Sequence, residues 1–126
     1  MAVKKLGFGT MRLPLLNPDD PKSIDIEQFK KMADIFMDRG FCYFDTAYPY
    51  HEEESENAVR KAVIERFPRD KVVLADKMPI LQVNSSDDYR KFFETQLRRC
   101  GVEYFDYYLL HNMGRDRYEK IGRAHV

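Results

Sequence analysis

Only two cysteines, Cys42 and Cys100, occur in the 126 residues, too few and too far apart for a zinc ribbon or a disulfide-stapled scaffold. Both are expected to be reduced core thiols of a cytoplasmic protein. Surplus charge is lacking as well: 21 Lys and Arg stand against 21 Asp and Glu, a formal net charge of zero. That balance argues against a dedicated nucleic-acid or acidic-membrane binder, because no excess would drive phosphate neutralisation. No apolar run approaches the roughly 18–20 residues that a membrane span requires. The start, Met1-Ala2-Val3-Lys4-Lys5, has no long apolar stretch behind it, so no secretory leader is expected. Low-complexity tracts and short repeats are missing too. These absences exclude many classes and name no chemistry.

What is there is a 44% hydrophobic chain, long enough for one domain with a core. Leu6-Gly7-Phe8-Gly9-Thr10 reads as a short buried strand opening into a turn. A proline-bearing loop leads to a helix capped by Ser23 or Asp25, with Phe29, Met32, Ala33, Phe36 and Met37 on its apolar face and Gly40 at its end. Phe41 to Asp45 is a nearly continuous apolar run, like a strand buried on both faces. A second helix begins near Ser55 and ends before Pro68. Val72 to Ala75 is the clearest strand, a third helix runs from Ser86 or Asp87 to Arg99, and Tyr104 to Leu110 makes a fourth strand. Such alternation implies a parallel α/β sheet of four strands and three helices. Gly7-Phe8-Gly9 lacks the third glycine of a G-x-G-x-x-G fingerprint. A (β/α)₈ barrel needs about 250 residues, so the chain supplies about half of one.

Asp45, Lys77 and His111 each fall at or just past the C-terminal end of a strand, and Tyr50 lies in the loop after Asp45. Strand ends of a parallel barrel converge on one face, where active sites form. There the four residues can do proton chemistry. A phenol is a poor acid at neutral pH unless a neighbouring cation stabilises its anion. Lys77 could supply that cation, Asp45 could orient it, and His111 could hydrogen-bond a substrate oxygen. Each residue taken singly has a structural explanation as a solvated charge, a turn residue or a packed ring. Their coincidence at three successive strand ends favours catalysis. The run His51-Glu52-Glu53-Glu54-Ser55-Glu56 has metal-ligand residue types without H-E-x-x-H spacing and reads as an acidic helix start. Ser55 or Glu56 could also touch a cofactor.

Four motifs in order, Leu6 to Pro14, Phe44 to Tyr50 with Glu54-Ser55-Glu56, Ala75-Asp76-Lys77-Met78-Pro79 and Tyr108-Leu109-Leu110-His111-Asn112, resemble those of the aldo-keto reductase family, from about Leu6 to Lys120. The resemblance implies a parallel (β/α)₈ TIM barrel, here its first half, that reduces small-molecule aldehydes or ketones with NADPH, NADH being the alternative. It implies that Asp45, Tyr50, Lys77 and His111 form a catalytic tetrad with Tyr50 as general acid. Gly9, Thr10, Met11 and Asp45 would then lie near the nicotinamide. The wording of Asp45 to His51 and of Ala75 to Pro79 is most similar to a bacterial branch that often carries a C-terminal iron–sulfur segment. No cysteine cluster for such a segment occurs in this chain.

Residues 1–120 are therefore expected to form a partial barrel, and 121–126 (Ile-Gly-Arg-Ala-His-Val), unlike the family, to be a non-native tail. Two other functions fit the same residues. Lys77 could be a Schiff-base nucleophile in a barrel lyase, or the barrel could be a non-catalytic nicotinamide-binding regulatory subunit. A four-stranded parallel sheet has two free edges, and an inner face expected to include Val72, Val73, Leu74, Phe44, Phe105 and Leu109 would lie open. The isolated 126-residue chain is accordingly expected to be aggregation-prone, dimeric or molten and to reduce no carbonyl. Light scattering together with an NADPH-oxidation assay checks this; a cooperatively melting monomer with steady turnover is the opposite outcome.

Overall fold

Alternation along each strand sends one set of side chains toward the helices and the other toward the inside of the curved sheet. The computed structural model, which describes residues 4–124, has four strands in one sheet: β1 (Gly7–Gly9), β2 (Tyr43–Asp45), β3 (Val73–Met78) and β4 (Tyr107–Leu110), in the order β1-β2-β3-β4. All three pairings are parallel, with Gly9 opposite Asp45, Asp45 opposite Ala75 and Lys77 opposite Leu109. Between and after the strands come α1 (Ile26–Asp38), α2 (Ser55–Val59), α3 (Ser86–Cys100) and α4 (Arg115–Ala124). This is the first half of a (β/α)₈ barrel. Among the described residues, no helix is long and apolar enough to cross a membrane.

The core lies between sheet and helices. Phe44, fully buried on β2, meets Phe8 of β1 with ring centroids 5.5 Å apart and Phe36 of α1 at 5.2 Å. Phe29 and Ala33 of α1, Ala58 and Val59 of α2, and Val72 and Leu74 around β3 complete the cluster. Local chemistry sets the helix ends. Asp25 caps α1 by accepting from the Gln28 N–H at 3.0 Å, satisfying a donor that the helix leaves unpaired. At the start of α3, Ser85 and Asp88 form a capping box. Gly101 ends α3 at φ +69°, where an added Cβ would also lie 2.8 Å from the Arg60 side chain.

Several elements differ from their sequence outlines. β1, β2 and β4 are shorter than the apolar runs that contain them, whereas β3, paired on both sides, extends through Lys77 to Met78. α2 keeps α-helical bonding only to Val59 and continues as a π-turn over Arg60–Ile64. The helix α4 was not expected from the sequence, so the fold has four α-helices rather than three. The expected inner face also needs correction. Phe44, Val72, Leu74 and Phe105 pack on the helix side, because alternation puts their neighbours inward. The inward positions are Gly7, Gly9, Tyr43, Asp45, Val73, Ala75, Lys77, Tyr107 and Leu109, with Tyr43 and Tyr107 in ring contact at 5.8 Å.

Phe44 is fully buried between Phe8 of β1 and Phe36 of α1, so truncating it should be costly. Phe44→Ala should lower stability by about 3–5 kcal/mol, read as a reduced urea midpoint; a loss below about 1 kcal/mol would mean that the aromatic cluster is not the core.

Candidate active site

Two inward positions at the strand ends hold opposite charges. The Lys77 ammonium, from the last turn of β3, donates to both Asp45 oxygens at 2.9 Å and to the Thr46 carbonyl at 2.7 Å. Its three protons are thereby engaged. The same ammonium lies 4.9 Å from the centre of the Tyr50 ring, over its face. His111, immediately after β4, meets the other side of the story: its ring stands perpendicular to that of Tyr50 with centroids 5.8 Å apart. The His111 N–H donates to the Met78 carbonyl at 3.0 Å, continuing the β3–β4 ladder past the end of the strand. Burial lowers the His111 pKa, the Lys77 charge lowers it further, and Asp45 opposes them. The imidazole is therefore neutral at pH 7. All four residues singled out as a tetrad thus meet at one end of the sheet.

Beneath them lies a set of hydroxyls with no exposure to solvent. Ser55, the first residue of α2, is 2.8 Å from the Thr10 hydroxyl and 2.9 Å from that of Thr46. Thr10 in turn donates from its hydroxyl to the Asp45 carbonyl at 2.8 Å. This network ties the ends of β1 and β2 to the start of α2, so the loop carrying Tyr50 leaves from and returns to fixed points. Gly9 and Thr10 sit at the end of β1 beside Asp45, while the Met11 side chain is exposed. On β3 the Lys77 carbonyl accepts from the buried Gln96 amide at 2.7 Å, and Tyr108 donates to the other end of that amide.

The loop itself is strained. His51, Glu52 and Glu53 follow one another at φ 54°, 50° and 74°, a left-handed conformation that costs a non-glycine residue roughly 1–2 kcal/mol. Contacts on both sides hold it. His51 reaches the β1–α1 loop, and Glu53 pairs with Arg99 of α3 at 2.9 Å. Arg99 also stacks over the Tyr48 ring, 4.6 Å from its centre, and Tyr48 meets Phe92 edge-on at 5.1 Å. Burial works against the Glu53 carboxylate, but Arg99 and the Tyr48 hydroxyl hold its pKa below the usual range.

This arrangement can be set beside known proteins. The family model described as Aldo/keto reductase family matches residues 5–122. The chain belongs to the aldo/keto reductase family. A protein of Glycine max named probable aldo-keto reductase 1 is 34% identical over 119 residues, which cover 88% of this chain and 33% of that protein. Among solved structures, an aldo-keto reductase from Klebsiella pneumoniae in complex with NADPH is 26% identical with a TM-score of 0.70, over 97% of this chain and 43% of that one. The holo form of an aldo-keto reductase from Bacillus halodurans is 25% identical with a TM-score of 0.71, over 96% and 43%. The chain spans a third to under half of the length of these relatives.

This aldo/keto reductase chain also holds a buried acidic group that the sequence reading placed elsewhere. Glu56 does not cap α2 at its surface; it is fully buried beside Asp76 and Cys100, their ligand-type atoms all within 4.8 Å of one another. Both carboxylates point to the helix side, since Asp76 alternates with the inward Lys77. Arg99 lies 3.5 Å from Glu56 and supplies one positive charge. Burial raises the Asp76 pKa well above its ordinary value, and the Glu56 contact and charge raise it further. Neither Glu56 oxygen is given a hydrogen bond by another group, so the proton that Asp76 keeps is what it can donate to one of them. The Cys100 thiol is pushed up as well, by burial and then by Asp76. Asp76 next to an inward lysine was the available signal for a buried acid on the helix side.

The sign of the resulting pH dependence follows. A carboxyl that keeps its proton when folded, and loses it when unfolded, stabilises the fold at low pH. That contribution fades as pH rises from the ordinary value of 3.8 toward the raised one. Melting temperature should therefore fall with rising pH over that window, and Asp76→Asn should flatten the slope. Parallel slopes in the two proteins would show that Asp76 does not hold the proton.

Proposed function

We propose that the residues at this strand-end face carry the reduction of an aldehyde or ketone by hydride transfer from NADPH, in a barrel completed beyond the strands described here. The reading rests on one observation above the others: Lys77 is fixed as an ammonium between Asp45 and the Tyr50 ring, in a chain of the aldo/keto reductase family. Room for a nicotinamide is compatible with Gly9. An added Cβ there would meet nothing within 4 Å, so the inner end of β1 is open beside Asp45. Gly9, Thr10, Met11 and Asp45 would hold that end of the cofactor. When bound, NADPH supplies the hydride.

The chain's own residues handle the proton. As negative charge develops on the carbonyl oxygen, Tyr50 gives up its hydroxyl proton, and the Lys77 charge favours the phenolate that remains. Asp45 holds Lys77 in place through both of its oxygens. His111, neutral, donates one hydrogen bond to the same oxygen and so orients it. The ammonium's engagement argues against the Schiff-base alternative: with its N–H bonds directed at Asp45 and the Thr46 carbonyl, Lys77 presents no lone pair to a carbonyl carbon.

Replacing the acid while keeping the ring separates chemistry from packing. In the full barrel, Tyr50→Phe should lower turnover by the ~10²–10⁴-fold typical of losing a general acid. NADPH affinity, followed by fluorescence titration, should barely change. Undiminished carbonyl reduction by Tyr50→Phe would assign the proton to another donor.

A further inference from the structure

His51 follows Tyr50 directly, and its ring crosses to the β1–α1 loop. The Leu13 N–H donates to Nε2 at 2.9 Å, and Nδ1 meets the Pro21 carbonyl at 2.8 Å. A carbonyl can only accept, so Nδ1 carries a proton; a backbone N–H can only donate, so Nε2 keeps its lone pair. Two backbone groups thus require a neutral ring in one tautomer. His51 opens the left-handed turn, whose far end is tied to α3 through Glu53 and Arg99. Tyr50 stands just before that turn, so the His51 strut fixes the point from which its side chain departs.

We propose that His51 is a positioning residue for Tyr50 that works only as the neutral imidazole, so that acidification loosens the loop bearing the proton donor. The inference rests on the reading of Tyr50 as the acid. Protonation of Nε2 would set one N–H against another at a backbone group beside the buried Leu13, where the lost bond is expensive to leave unmade. The charged residues of the segments involved are Arg12, Asp19, Asp20, Lys22 and Asp25 on the β1–α1 loop, Glu52, Glu53 and Glu54 on its own loop, and Arg99 of α3, which pairs with Glu53. The ring's two hydrogen bonds go to backbone and to none of these. On the Tyr50 side, Lys77 and His111 are the titratable neighbours.

Glutamine reproduces both bonds, accepting from Leu13 and donating to Pro21, and does not titrate. In the full barrel, His51→Gln should therefore stay within about threefold of the parent kcat at neutral pH and lose an acid-side fall that the parent shows. His51→Ala should lower kcat about tenfold at every pH, as expected for a misplaced reacting group, with the KM for NADPH unchanged. An acid limb that persists in His51→Gln but vanishes in His111→Gln would assign the titration to His111 and overturn the proposal. Nitrogen-15 NMR of the His51 ring decides the strut without any turnover, and so separately from the reductase reading. An Nδ1–H tautomer at neutral pH, lost on acidification together with protection of the Leu13 amide, supports it. A ring with its proton on Nε2 at neutral pH overturns it.

Discussion

The salt bridge between Lys77 and Asp45 joins two strands across the inner face, and the geometry of the whole strand-end face depends on it. A lone ammonium at that position would leave its donors without partners in a mostly covered site. Asp45 and the Thr46 carbonyl take those donors, and they can do so only because parallel pairing puts Asp45 opposite Ala75, two residues before Lys77 on the same face. A slip of one residue in β3 would turn Lys77 into the aromatic core and Asp76 inward. The apolar packing of Phe44 and Leu74 that holds the register is thus what keeps the charges together.

β3 separates two electrostatic systems by the thickness of one backbone. Lys77 and its partners face inward, whereas Asp76 faces the helices and shares its burial with Glu56, Cys100 and Arg99. The two meet through the chain: the Lys77 N–H donates to Asp76 at 2.8 Å, and the Lys77 charge opposes the rise of the Asp76 pKa. Arg99 belongs to both sides of α2, since it neutralises Glu56 below and clamps Glu53 and Tyr48 above. A single guanidinium thus links the buried acids to the strained turn.

Much of this was legible in the sequence. The strand ends were marked by a polar residue after each apolar run, and that was enough to bring Asp45, Tyr50, Lys77 and His111 to one face. Less legible was which side of each strand faces the helices. Phe44 and Leu74 are as apolar as an inner face would demand, and only alternation with a charged neighbour reveals their direction. Glu56 was misplaced because charge near a helix start ordinarily lies at the surface, and its partners Asp76 and Arg99 are distant in sequence. The left-handed run at His51, Glu52 and Glu53 carries no glycine to announce it, and α4 follows a segment with little apolar periodicity.

The two glycines of β1 point the same way yet answer to different neighbours. A Cβ on Gly7 would come within 3.1 Å of the Tyr43 ring, whereas one on Gly9 would enter open space. Size at position 7 is therefore bound to size at position 43: a smaller residue on β2 makes room for a larger one on β1, and the two should vary as a pair. Position 9 has no such partner within the fold. What limits it is whatever must fit over the strand ends, so its tolerance reads out the dimensions of a guest and not the packing of the host.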